Sequence, residues 1–339
     1  MGAFYQLRHD TMKIFLTGAN GFVGRHLTRH LSAAGHEVLA VVRPGAPVDL
    51  PAQFVPAKLE TPGGWQADLA SCDAVIHLAA RYRIGGVDRS EMAAANIEAT
   101  RQVLYAAWRA GVPRIIHVSS TAALGETEGG LGDESSRHNG HFRSFYEQTK
   151  HVGHGLAEAM QQRGAPVIIA IPGGIFGPGD QSDLAQALGQ FVHGKLPLQV
   201  VSESRFQLCP VDAVCDGLRR VLEHGVIGRN YLLTGETVGM AQLIERAAAV
   251  AGLPLPKKVL PASLRWPARI CDALRPLGVR LPLSREALQV MDGSSYLYSS
   301  TRAESELGWP WQDHCSTFGE RFDEYVRTLL PEASESQGA

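Results

Sequence analysis

Thr17-Gly18-Ala19-Asn20-Gly21-Phe22-Val23-Gly24 is the stretch that decides the fold. It follows an apolar run at residues 14–17 and opens a helical pattern at 23–34 that stops at Gly35. Glycines at 18, 21 and 24 suit a dinucleotide turn. One makes the tight turn, one admits a pyrophosphate to the backbone, and one packs the helix on the strand. The helix start then offers free N–H groups and a positive dipole to the anion. Spaced glycines alone are a weak signal. Their place after a first strand and before a helix is what points to a cofactor.

Outward from this turn, apolar runs alternate with helical patterns. Residues 38–42, 74–78, 115–118 and 167–171 read as strands, and 90–110 and 146–163 as helices, the first ended by Gly111. Strand–helix alternation with short glycine-rich joints predicts an α/β fold, a Rossmann-type doubly wound parallel sheet. After about residue 172 the rhythm breaks. Prolines cluster, and helical patterns at 241–251, 264–274 and 285–290 are joined irregularly. This predicts a dinucleotide-binding domain over 12–172, completed by return segments, and a smaller substrate lobe over 173–330. Residues 1–11 and 331–339 read as disordered tails.

Acidic and basic residues number 34 and 32, for a net charge of −2. No basic stripe argues for nucleic acid, and a charged ligand needs a local site. No apolar run approaches the ~18 residues that span a bilayer, so no membrane partner is expected. Cys72, Cys209, Cys215, Cys271 and Cys315 match neither a zinc site nor a disulfide framework. They read as reduced thiols of a cytoplasmic protein.

The end of the second strand bears on the cofactor. NAD sites place an acid there for the ribose 2′-hydroxyl; this chain has Arg43, which suits a 2′-phosphate. NADP(H) is therefore favoured, with NAD(H) and a merely solvated Arg43 left open. Tyr146-Glu147-Gln148-Thr149-Lys150 puts Tyr146 and Lys150 on one helix face. A phenol of pKa near ~10 is a poor base, and a neighbouring ammonium is expected to lower it into acid/base range. Ser120, in Val118-Ser119-Ser120-Thr121, leaves a strand on the side where ligands of such sheets bind. It can hold the substrate oxygen that Tyr146 protonates, with Ser119 and Thr121 as competitors for that role.

These residues resemble the extended short-chain dehydrogenases/reductases from about Met12 to Phe322. The glycine turn, His77-Leu78-Ala79-Ala80, Val118-Ser119-Ser120 and Tyr146 to Lys150 occur in the family's order. The resemblance implies catalysis by Ser120, Tyr146 and Lys150. It implies cofactor contacts from Gly18, Asn20, Gly21, Phe22, Val23, Gly24, Arg43, Lys58, Leu59, Leu78, Ala79 and Ala80. Tyr146, Lys150, Pro172, Gly174 and Ile175 join that set. It implies a pocket at Tyr82, Thr121, Gly173 and Phe176. His77 reads as a core histidine at a strand end. The helix holding Asn96-Ile97-Glu98-Ala99-Thr100 resembles one that packs beneath the site and joins a homodimer's four-helix bundle.

Val41-Val42-Arg43, Ile175-Phe176-Gly177-Pro178-Gly179-Asp180 and Ser299-Ser300-Thr301-Arg302-Ala303 are most similar to the dihydroflavonol-reductase-like and 3β-hydroxysteroid-dehydrogenase-like groups. Four positions depart from the wider family. Lys58 stands where an acid usually holds adenine, Ile171 where many members have Arg, and Gly174 where nucleotide-sugar enzymes have Asn. Cys209-Pro210-Val211-Asp212-Ala213 replaces a His-Val-Asp-Asp form. Fewer polar groups remain for a sugar diphosphate. The expectation is an NADP(H)-dependent ketone or aldehyde reductase acting on a small carbonyl or alcohol substrate. A nucleotide-sugar epimerase or dehydratase with retained NAD is the first alternative. A non-catalytic NADP-sensing protein is the second.

Overall fold

Seven parallel strands form the main sheet, and its inner strands β4, β5 and β6 are buried along their whole length. The computed structural model describes residues 11–331 except 48, 86–87, 197, 201 and 275–284. The predicted tails therefore lie outside the described residues, apart from Thr11 and Pro331. β1 (Lys13–Thr17), α1 (Phe22–Ala33), β2 (Glu37–Val42) and β3 (Gln53–Pro56) make the first passage. A single turn, α2 (Trp65–Asp68), leads to β4 (Ala74–His77). The helix predicted over 90–110 is α3 (Arg89–Ala93), a π-helical turn (Ala94–Glu98) and α4 (Ala99–Arg109) in unbroken succession. β5 (Ile115–Val118), α5 (Phe145–Gln162) and β6 (Val167–Pro172) follow.

The chain then leaves the sheet through β7 (Gly174–Phe176), α6 (Asp183–Val192), β8 (Leu198–Val200) and β9 (Arg205–Pro210). It returns by α7 (Val211–His224) and β10 (Asn230–Leu233). The remainder is β11 (Glu236–Gly239), α8 (Met240–Ala251), β12 (Lys257–Val259), α9 (Pro261–Leu274), α10 (Arg285–Met291) and β13 (Ser295–Tyr296). Three helices close the chain: α11 (Thr301–Leu307), α12 (Trp311–Ser316) and α13 (Phe318–Leu329).

The sheet order is β10-β6-β5-β4-β1-β2-β3. The chain winds outward from β1 in one direction and from β4 in the other. This puts the switch point, where such sheets bind ligands, between β1 and β4. Thr17 pairs in register with both Val41 and His77, so three strand ends meet there. Strand alternation splits the core into two layers. Ile14 and Leu16 face one layer and Phe15 the other; Ile168 and Ala170 oppose Val167, Ile169 and Ile171. Burial on both faces explains why these strands read as continuous apolar runs. The small lobe has its own core, where Phe176 packs against Phe318, Phe322 and Tyr325.

Candidate active site

The glycine turn is fixed by close backbone contacts. Gly18 has φ +75°, and a Cβ there would lie 2.8 Å from Cα of Ala79. A Cβ on Gly24 would lie 2.0 Å from the Gly18 carbonyl oxygen. No side chain can be added at either place without moving backbone, so the turn rests on the end of β4. Gly21 N donates to Gly18 O at 2.9 Å. No side chain caps α1, which leaves its first-turn N–H groups for an anion. These features fit a dinucleotide pyrophosphate. Asn20 Nδ2 donates to Pro47 O at 3.2 Å and ties the turn to the loop after Arg43. Arg43 is exposed at the end of β2. Arg25, which sequence reasoning missed, donates to Asn20 Oδ1 at 2.6 Å and to Asn20 O at 3.0 Å. Its signal was its place in the first turn after Gly24, where a guanidinium sits beside an anion site.

Behind the turn, His77 acts as a lock. Its Nδ1 lies 2.8 Å from Thr17 Oγ1 and its Nε2 lies 3.0 Å from Thr100 Oγ1. The Thr100 hydroxyl already donates to Asn96 O, which assigns Nε2 of His77 as the donor. Thr17 Oγ1 in turn accepts from Ala79 N at 3.1 Å. Burial pulls His77 down to about 3, with Lys150 adding to the fall, so the ring is neutral and structural. Leu78 and Ala79 are half-buried, and Ala80 is exposed as the chain leaves β4.

Asn96 is a second lock that the sequence did not disclose. It accepts from Arg81 N at 2.6 Å and donates to Arg81 O at 3.0 Å and Thr149 Oγ1 at 2.9 Å. It sits in the π-helical turn, a feature that recurs at functional sites. One buried amide thus joins that turn, the loop after β4 and α5.

α5 starts at Ser144, whose Oγ accepts from Glu147 N at 3.1 Å. Glu147 is buried and receives Arg143 N at 2.6 Å and the Tyr296 hydroxyl at 3.1 Å. Tyr146 then projects toward Ser120, near enough for the serine hydroxyl to favour the ionised phenol. Lys150, one turn further, is buried and donates to Val118 O at 3.1 Å. The three residues meet at the C-terminal end of β5. The competitors for the serine's place are engaged or covered. Ser119 Oγ pairs with His154 Nδ1 at 2.9 Å, and Thr121 is buried in a turn of 3-10 helix.

Burial pushes the Tyr146 phenol up to about 12, offset in part by the Ser120 hydrogen bond. Burial also pulls the Lys150 ammonium down to about 8. The direction expected for Tyr146 is thus reversed. Lys150 turns its ammonium to the Val118 carbonyl, and the desolvation of a phenolate outweighs its attraction.

The NAD dependent epimerase/dehydratase family model matches residues 14–233. The chain belongs to that family. A relative from Methylococcus capsulatus, named sterol demethylase protein B, is 30% identical over 263 residues, 75% of this chain and 79% of that one. A 4-hydroxy-2-methyl-3-oxo-4-farnesyl-3,4-dihydroquinoline-1-oxide ketoreductase from Stigmatella aurantiaca is 28% identical over 312 residues, 88% of this chain and 92% of that one. A dTDP-glucose 4,6-dehydratase from Streptomyces venezuelae, solved with NAD, superposes with a TM-score of 0.73 at 22% identity. That match covers 93% of this chain and 96% of that one, and shows the shared fold. The protein is an NAD(P)-dependent oxidoreductase of the extended short-chain dehydrogenase/reductase type.

Around the triad, Tyr82 is 46% exposed and meets Tyr146 edge-on, with ring centroids 4.8 Å apart. Pro172 ends β6, and Gly174 and Ile175 pair with Leu208 and Cys209. Lys58 is exposed beyond β3, while Leu59 is in the core beneath it. Two residues implied as pocket lining are placed elsewhere. Phe176 is fully buried in the small-lobe core, because β7 pairs with β9 and turns its ring toward α13. At Gly173 a Cβ would lie 3.1 Å from Gln207 O, so it serves close strand packing. Cys209, in β9, is likewise a core residue, and Asp212, in the first turn of α7, forms an ion pair with Arg321.

Proposed function

We propose that the protein is an NADP(H)-dependent reductase of a lipophilic ketone or aldehyde. The nicotinamide supplies the hydride when bound. Gly18, Gly21 and the α1 N-terminus would hold the pyrophosphate, and Arg25 and Arg43 the 2′-phosphate. Tyr146 keeps its proton at neutral pH and delivers it to the carbonyl oxygen, while Ser120 holds that oxygen. Lys150 places a positive charge beneath the phenol below pH about 8 and steadies the negative charge left on Tyr146. The observation that carries this reading is the meeting of Tyr146, Ser120 and buried Lys150 at one strand end beside the turn. Tyr82 and the partly buried Ile175 supply apolar surroundings, and two relatives carry names of a sterol protein and a farnesylated ketone's reductase. α4 and α5 leave Tyr105 and Val152 exposed, which suits pairing with a second copy.

The test follows NADPH and NADH oxidation with steroid, aromatic and long-chain keto substrates. NADPH consumption is expected. Arg43→Glu should move the preference toward NADH by roughly tenfold or more, the loss of a charge-assisted hydrogen bond. A purified protein that carries NAD and converts a UDP- or dTDP-sugar without added NADPH would overturn the reading in favour of an epimerase or dehydratase.

A further inference from the structure

The small lobe carries a patch that carbonyl reduction does not use. α9 buries Ala268 completely and packs on α10. Yet Trp266 and Ile270, one turn apart on one helix face, are 72% and 56% exposed. Leu260, just before the helix, is 64% exposed. Scattered apolar residues are ordinary on a surface, but large ones grouped on one short segment mark an interaction site.

The patch is also cationic. Between Gly252 and Leu274 the sequence holds Lys257, Lys258, Arg265 and Arg269 against one acid, Asp272, in a chain of net charge −2. The Arg269 guanidinium lies over the Trp266 ring, 5.6 Å from its centroid. From the neighbouring α8, Glu245 approaches Lys258 Nζ at 3.9 Å, and both groups are exposed, so solvent screens that pair. Trp and aliphatic side chains flanked by cations are the composition of a helix lying in the headgroup–acyl boundary of an anionic bilayer. A second copy of the chain seated on the same patch would set like charges against each other. Anionic lipid neutralises them.

We infer that α9 docks the small lobe on the surface of an anionic lipid bilayer. Trp266, Ile270 and Leu260 enter the boundary, and Lys257, Lys258 and Arg269 meet the headgroups. The sequence excluded a spanning segment, and no helix among the described residues is long and apolar enough to cross a membrane. Lying on the surface needs no such helix. The docked face is mechanically joined to the active site. Glu286 of α10 accepts from Gly85 N at 2.8 Å and from Phe145 N at the start of α5. A lipophilic ketone leaving the acyl layer therefore meets the loop of Tyr82 and the catalytic helix. That last step rests on the proposed reductase activity; the docking does not.

The experiment is co-sedimentation of the full chain with vesicles of equal parts phosphatidylglycerol and phosphatidylcholine, and with phosphatidylcholine alone. Binding should require the anionic lipid and weaken with added salt. A blue shift of tryptophan emission should accompany it. Trp266→Ser should abolish the shift and cut partitioning by roughly tenfold or more, with the melting temperature unchanged because the side chain is exposed. Arg269→Gln tests the charge independently and should weaken binding to anionic vesicles. Wild type that ignores anionic vesicles at low salt overturns the inference. So does undiminished binding by a Trp266→Ser/Ile270→Ser variant, or conversion of a dimer to monomers by Trp266→Ser, which would assign the patch to a second copy. Vesicle binding is read without substrate, so a failed ketone screen would leave it standing. A failed vesicle assay would leave NADPH oxidation with a water-soluble ketone intact.

Discussion

The large sheet and the small lobe are held together differently. In the sheet, the inner strands are covered on both faces, and their side chains sort between two core layers. In the lobe, short strands and helices meet around an aromatic cluster of Phe176, Phe318, Phe322 and Tyr325. The first arrangement fixes strand ends to within a register step, as Thr17 against Val41 and His77 shows. Groups that must hold a proton in one place benefit from such a frame. The second is a separate aromatic core with no such continuous register.

If the sheet carries the chemistry, the largest effect of any single substitution in the site should be at Tyr146. Tyr146→Phe removes one oxygen from a helix whose start is fixed by Ser144 and Glu147. The expected loss is roughly 10²–10⁴-fold in kcat, the worth of a placed general acid. Dinucleotide affinity, measured by fluorescence titration, should stay within about twofold of wild type on that same principle. A variant that keeps most of its turnover would break the assignment and favour a sensing role.

The difference in regularity also decided what the sequence disclosed. β1, β2, β4, β5 and β6 were legible because double burial makes each an unbroken apolar run. The glycine turn was legible because Gly18 and Gly24 have no room for a Cβ. β3, Gln53–Pro56, was not, since it is an edge strand with three exposed residues. The parallel pair of Leu198–Val200 with Lys257–Val259 joins segments far apart in sequence and too short for a period to show. Asn96 was legible only as part of a helix. The π-helical turn that aims its amide at Arg81 has no composition signal. Tyr146, Lys150 and Ser120 were found by motif, but the direction of the phenol's shift was not. Desolvation is a property of the packed site and cannot be read from spacing.

Lys150 sharpens the comparison, because the sheet half accepts a buried ammonium. Its folded value is about 8, below the ordinary ~10.4. The unfolded chain therefore binds more protons between those values, and this residue's contribution to stability rises with pH across that window. Below pH about 8 the buried charge costs the fold up to about 3 kcal/mol. Lys150→Met should raise the melting temperature at pH 7 while abolishing most turnover. Its stability advantage should shrink as pH climbs from about 8 toward 10.5. A variant less stable than wild type at every pH would mean that the Val118 hydrogen bond outweighs the desolvation.

The smallest effect is expected where the two regions touch. Glu286, from the small lobe, bridges Gly85 N and Phe145 N, and its charge faces the positive end of α5. Glu286→Gln keeps an acceptor but removes that charge and one of the two well-placed oxygens. A charge at a helix start is worth about 0.3–1 kcal/mol, so the melting temperature should fall slightly. The loop of Tyr82 should loosen, raising KM for the ketone severalfold while kcat changes little. Steady-state kinetics with saturating NADPH separates the outcomes. A rise in KM alone confines the lobe to substrate capture. A fall in kcat comparable to that of Tyr146→Phe would show that the lobe sets the catalytic geometry itself, and the division between the two regions would not stand.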